Sequence, residues 1–184
     1  MSAITDQLKE EIRYTPRMKI LLVLSSKDKY ESVNLEILKL FSDSSYIIIY
    51  ICVDKPSTTI RYELKAEGMN VDKMFFIDCA TAIATGSSGR IEKAIVVSPK
   101  DLTDLSITIN EAIQGIKENK IVFLDSLATL SIYHGLGTMK KFCHFLISNI
   151  RLYALKGILL SIEQGTKKEL IDTIERFCDK TVRI

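Results

Sequence analysis

Unbroken apolar runs alternate along this chain with stretches in which apolar residues recur at helical spacing. The first run, KILLVLS (19–25), has no polar break and predicts a strand covered on both faces, as in a buried parallel sheet. Residues 32–42 carry Val33, Ile37, Leu38 and Phe41 at helical spacing. YIIIYICV (46–53) is β-branched and aromatic and predicts the second strand. DKPSTT follows, then a helix over IRYELKAE with Gly68 placed as its C-cap. KMFFIDCA (73–80) predicts a third strand, ATGSSGR (84–90) a flexible loop tip, and KAIVVSP (93–99) a short strand ended by Pro99. Asp101 or Thr103 can cap a helix whose apolar positions are Leu105, Ile109, Ala112, Ile113 and Ile116. KIVFLDSL (120–127) predicts a strand, 138–155 a helix with Phe142, Phe145, Leu146, Ile150 and Tyr153 on one face, and GILLSI (157–162) another strand. Thr166 and Glu169 match a capping box for a helix over 167–179, and TVRI (181–184) reads as an edge strand. Ahead of all this, Ile4, Leu8 and Ile12 form a short stripe, with Thr5 or Asp6 near its start, that ends before Pro16.

Strands alternating with helices predict an α/β fold: three layers, with a mainly parallel twisted sheet and helices on both faces. No internal repeat or low-complexity segment interrupts the pattern, so residues 1–184 are expected to form one domain, with 1–18 as an N-terminal helical extension. A length of 184 residues, 47% of them hydrophobic, suffices for one substantial core. Net charge is 25 − 23 = +2, which supplies no general attraction to nucleic acid or an anionic membrane. The four cysteines, Cys52, Cys79, Cys143 and Cys178, lack metal-ligand or CxxC spacing and read as reduced thiols in a cytosolic protein. Residues 1–18 are polar and charged, without signal-peptide character, and no apolar run reaches the roughly 18–20 residues of a membrane span. A soluble, cytoplasmic location is the expectation.

Ligands of such sheets sit where strands end at their C-terminal edge. That directs attention to Ser25–Ser32, Asp54–Lys55, Asp78, Asp125–Ser126 and Glu163–Gln164. The first of these follows a strand and opens a helix, the setting of a phosphate loop, yet it contains no glycine. Aligned with G-x-x-x-x-G-K-[ST], it reads Ser25, Ser26, Lys27, Asp28, Lys29, Tyr30, Glu31, Ser32. Ser25 and Tyr30 stand at the glycine positions, where a bare backbone would cradle phosphate, and Glu31 replaces the lysine. Like charges about 4 Å apart repel by about 4 kcal/mol at an effective dielectric of 20, so Glu31 opposes a triphosphate there. Lys27 and Lys29 are the only loop cations that could substitute. Asp125, after four apolar residues, has the outline of a Walker B aspartate, which helps hold Mg²⁺; a buried strand can equally end in Asp to cap a turn. His134 and His144 have no third ligand arranged around them, and Ser25, Ser26 and Ser126 lack His/Asp company for a nucleophile.

Taken in series, KILLVLSS, YIIIYICVDKPSTTIRYELKAEGMNVDKMFFIDC, KIVFLDSLATLSIY, GILLSIEQGTKKELID and KTVRI resemble the RecA-like core of the KaiC-like family of archaeal and bacterial ATPases, over about residues 18–184. The resemblance implies a RecA-like P-loop NTPase fold, assembled into rings in working relatives. Catalytic members of that family carry a Glu-Glu pair after the second strand; here Asp54-Lys55 follows it, with lysine where the water-activating carboxylate belongs. Of the family's nucleotide-site positions only Ser32 and Asp125 match. The combination implies a degenerate, non-catalytic member with a regulatory, signalling or protein-interaction role and no resident cofactor. The partner would be another protein or a second copy, with neither membrane nor nucleic acid involved. The alternative is a nucleotide-binding protein or ATPase in which Lys27, Lys29, Ser32, Asp54 and Asp125 hold Mg-ATP in a rearranged site.

Overall fold

The computed structural model describes Asp6, Leu8, Glu10 and residues 20–42, 45–91 and 93–184. Eight strands, β1 Ile20–Ser25, β2 Ile47–Cys52, β3 Met74–Asp78, β4 Gly89–Ile91, β5 Ala94–Val96, β6 Lys120–Asp125, β7 Lys156–Ile162 and β8 Lys180–Arg183, form one sheet in the order β4-β5-β3-β2-β6-β7-β1-β8. Every neighbouring pair is parallel except β4 with β5. The connecting helices are α1 Tyr30–Ser42, α2 Ser57–Ala66, α3 Cys79–Thr85, α4 Leu102–Gly115, α5 Leu127–Leu130, α6 Leu136–Leu152 and α7 Lys168–Glu175. This is the predicted mainly parallel α/β sheet with helices on both faces.

Alternation along each strand divides the core in two. Leu22, Leu24, Ile49, Ile51, Val122 and Leu124 face α4, α6 and α7. Leu21, Val23, Ile48, Tyr50, Ile121 and Phe123 face α1 and α2. Leu8 is helical and fully buried on this second face, whereas Ile4 and Ile12 of its stripe lie outside the described residues. On the first face α6 lies so close to β7 that a Cβ at Gly157 would stand 2.8 Å from Ile150 Cδ1.

Local signals mostly behave as their chemistry requires. Asp101 caps α4, accepting from the amides of Thr103 and Asp104 at 3.0 Å. Gly68, at φ +73°, ends α2: its amide bonds Lys65 O and that of Met69 bonds Leu64 O, the pairing of a Schellman motif. Three expectations need correction. Helix α1 starts at Tyr30, so the loop after β1 is the four-residue turn 26–29 and not an eight-residue stretch. The presumed loop tip 84–90 ends in β4, which pairs antiparallel with β5 as an exposed edge. The Thr166–Glu169 box does not form. Thr166 turns inward, bonding Ser161 Oγ at 2.6 Å and Ile162 O at 2.9 Å, and α7 begins without a side-chain cap.

Candidate functional site

β2 lies between β3 and β6, and the register sets Cys52 beside both Asp78 and Asp125. The C-terminal ends of these strands therefore bring two buried carboxyl groups to one edge, as ligand sites of open α/β sheets require. Their uses differ. Asp78 caps: its carboxylate accepts from Ser57 N at 2.7 Å, Thr81 N at 2.8 Å and Thr81 Oγ1 at 2.7 Å, which ties the starts of α2 and α3 together. Asp125 instead looks toward α1.

The turn between β1 and α1 is held by backbone hydrogen bonds, one within the turn and one to the C-terminal residue. Ser26 N donates to Ile184 O at 3.1 Å, and Lys29 N donates to Ser26 O at 3.2 Å. Ser25 is buried and its hydroxyl donates to Ser26 O. Lys27, Asp28 and Lys29 are exposed. Ser32 Oγ donates to Lys29 O at 2.8 Å.

Tyr30 is the residue of this segment that reaches the strand ends. Its ring is buried, and its hydroxyl meets Asp125 Oδ1 and lies 3.3 Å from Asp54 Oδ2. The other Asp125 oxygen is engaged by Asn34 Nδ2 at 2.7 Å and by the Tyr50 hydroxyl, and Asn34 Nδ2 also lies 2.9 Å from that hydroxyl. Ser126 Oγ, 3.3 Å from Asp54 Oδ2, joins the network and caps α5. Burial raises the Asp125 carboxyl to about 7, and burial likewise keeps the Tyr50 phenol protonated. In the ionised form Tyr30, Tyr50 and Asn34 all donate to Asp125.

Oppositely charged side chains meet at the rim. Lys55 Nζ lies 3.1 Å from Glu31 and 3.2 Å from Glu63, which pairs the loop glutamate with the lysine that follows β2. Burial lowers the Lys55 ammonium, but the two glutamates outweigh it and raise it overall. Behind this rim, α1 and α2 stand apart over β2 and leave a cavity of about 640 Å³ with Tyr50 and Asp125 among its lining residues.

The structure thus brings Tyr30, Asp54 and Asp125 into one network and Glu31 with Lys55 into one ion pair, and leaves Ser25, Ser26, Lys27, Asp28, Lys29 and Ser32 outside both. Asn34, Tyr50 and Glu63 belong to the site without having been singled out in the sequence. Asn34 was visible as a polar residue within the apolar face of α1, four positions after Tyr30, and Tyr50 as the one hydroxyl inside an aliphatic strand. Other candidates are structural: His134 Nε2 bonds Pro99 O at 2.6 Å, His144 packs on Phe177, and burial pushes the thiols of Cys52, Cys79, Cys143 and Cys178 up. Among the described residues no His, Cys, Asp and Glu side chains are grouped to hold a metal, and no helix is long and apolar enough to cross a membrane.

No curated protein matches the sequence. Among solved structures the fold is similar to that of the KaiC-like protein PH0186 from the hyperthermophilic archaeon Pyrococcus horikoshii OT3, with a TM-score of 0.63 over 90% of this chain and 70% of that one. At 9% identity the likeness is one of fold, and it bears out the expected RecA-like sheet. A family model matches residues 20–184, nearly all of the described sheet and helices, and by that match the chain belongs to the family of unknown function DUF7504.

Proposed function

We propose that this protein is a KaiC-like domain that does not hydrolyse ATP and that serves a regulatory, signalling or protein-interaction role. The observation that carries the reading is the Tyr30 hydroxyl seated on Asp125, in the space between the first turn of α1 and the end of β6. Mg-ATP requires free backbone amides around the phosphates, a cation beside the β/γ-phosphates and a carboxylate open to the metal. Here Ser26 N–H and Lys29 N–H are committed to carbonyls, Glu31 stands where the cation belongs, and both Asp125 oxygens have protein partners. The residues present do not fit the group. Lys27 and Lys29, which the rearranged site would need, are exposed in a turn that does not border the cavity.

Steady-state hydrolysis with Mg-ATP tests this reading. The expected result is no turnover above background, identical for the wild-type protein and Asp125→Ala. Turnover that Asp125→Ala abolishes would overturn it and favour the rearranged ATPase.

A further inference from the structure

We infer that the cavity between α1 and α2 is a binding site for a small organic cation: an amine carried on an apolar body. The walls are apolar. Leu35 and Leu38 of α1 face Ile60 and Leu64 of α2 across the gap, and its volume of about 640 Å³ lies within the range of small-molecule sites. The charged lining is almost entirely acidic. Glu31, Asp54, Glu63 and Glu67 border it, and Lys55 is the single cation among its lining residues. Lys55 is already shared between Glu31 and Glu63, and Lys39, outside the lining, pairs with Glu67 at 3.0 Å. Counting both lysines, four carboxylates face two ammonium groups, which leaves a negative field over a half-closed apolar pocket. Low-dielectric walls strengthen such a field and select the sign of what enters.

The floor agrees with this choice. Asp54 supplies a carboxylate there, and the rings of Tyr30 and Tyr50 are among its lining. An anionic ligand of the same shape would meet carboxylates at every charged position of the lining except Lys55.

The inference stands on the cavity and not on the loss of hydrolysis. A protein that turned over ATP yet bound amines would sink the proposed function and leave this site standing.

The chain has no tryptophan, so the fluorescence of an indole ligand reports its own binding. Tryptamine, the neutral alcohol tryptophol and the anion indole-3-acetate share one body and differ in charge. Tryptamine is expected to bind saturably, tryptophol about tenfold more weakly, and indole-3-acetate not at all. Hexylamine, followed by calorimetry, is expected to compete with tryptamine. Ala66→Phe places a ring in the cavity from an exposed position and should abolish binding, and Glu63→Gln should weaken tryptamine while leaving tryptophol unchanged. Melting curves of both variants establish that they remain folded. Equal binding of all three indoles, tryptamine binding indifferent to Ala66→Phe, or no saturable binding of either amine would each overturn the inference.

Discussion

Burial and hydrogen bonding pull the Asp125 carboxyl in opposite directions. Its donors favour the charged form, whereas removal from water favours the neutral one, and at about 7 the desolvation has won. An acid whose folded value lies above its unfolded value stabilises the fold fully at low pH. That contribution is lost as pH rises from about 4 to about 7, because the unfolded chain releases the proton first. Asp125→Asn keeps the shape of the neutral acid and removes the titration. Relative to the wild-type protein, the variant should therefore gain about 2–4 kcal/mol between pH 4 and pH 8. Urea unfolding of both proteins at the two pH values measures this; an equal difference at both would show that Asp125 is ionised in the fold throughout. Asp125 itself was legible in the sequence because four apolar residues lead straight into it. Its partners Asn34 and Tyr50 were not, since a polar residue on a buried face announces a partner without saying which strand end carries it.

Among the elements, α2 shows how much one side chain can organise. Asp78 leaves β3 and binds the first amide of α2 together with the amide and hydroxyl of Thr81 in α3. Helix starts carry amides with no partner inside the helix, so losing this carboxylate leaves buried donors bare at two helices. Asp78→Ala should cost about 2–4 kcal/mol, read as a lower urea midpoint at unchanged m-value. A loss confined to a few tenths would mean that water replaces the carboxylate. Strong periodicity made most elements readable in advance, down to Gly68 and Asp101. What escaped were short elements and inverted polar residues. Helix α3 is seven residues of CATAIAT, too short to show a period, and β4 is three exposed residues paired only with β5. Thr166 has the sequence context of a cap, but a buried hydroxyl beside Ser161 gains more from the interior partner than from the helix end.

For the molecule as a whole, the sheet order was determined by connections that sequence pattern does not encode, yet the fold class followed from the alternation alone. The candidate site was legible as a location, namely the C-terminal ends of β1, β2 and β6. That Glu31 meets Lys55 and Tyr30 meets Asp125 emerges only in three dimensions. Under the proposed function a single substitution should not suffice to bind nucleotide: Glu31→Lys supplies a cation but breaks the pair with Lys55, and it leaves Tyr30 on Asp125 and the Ser26 amide on Ile184. Calorimetric titration of Mg-ATP into the wild-type protein and into Glu31→Lys is the most direct measurement. A closed nucleotide end predicts no saturable heat from either up to about 1 mM, the weak limit of specific binding; stoichiometric binding by the wild-type protein, or tight binding recovered by Glu31→Lys alone, would contradict it.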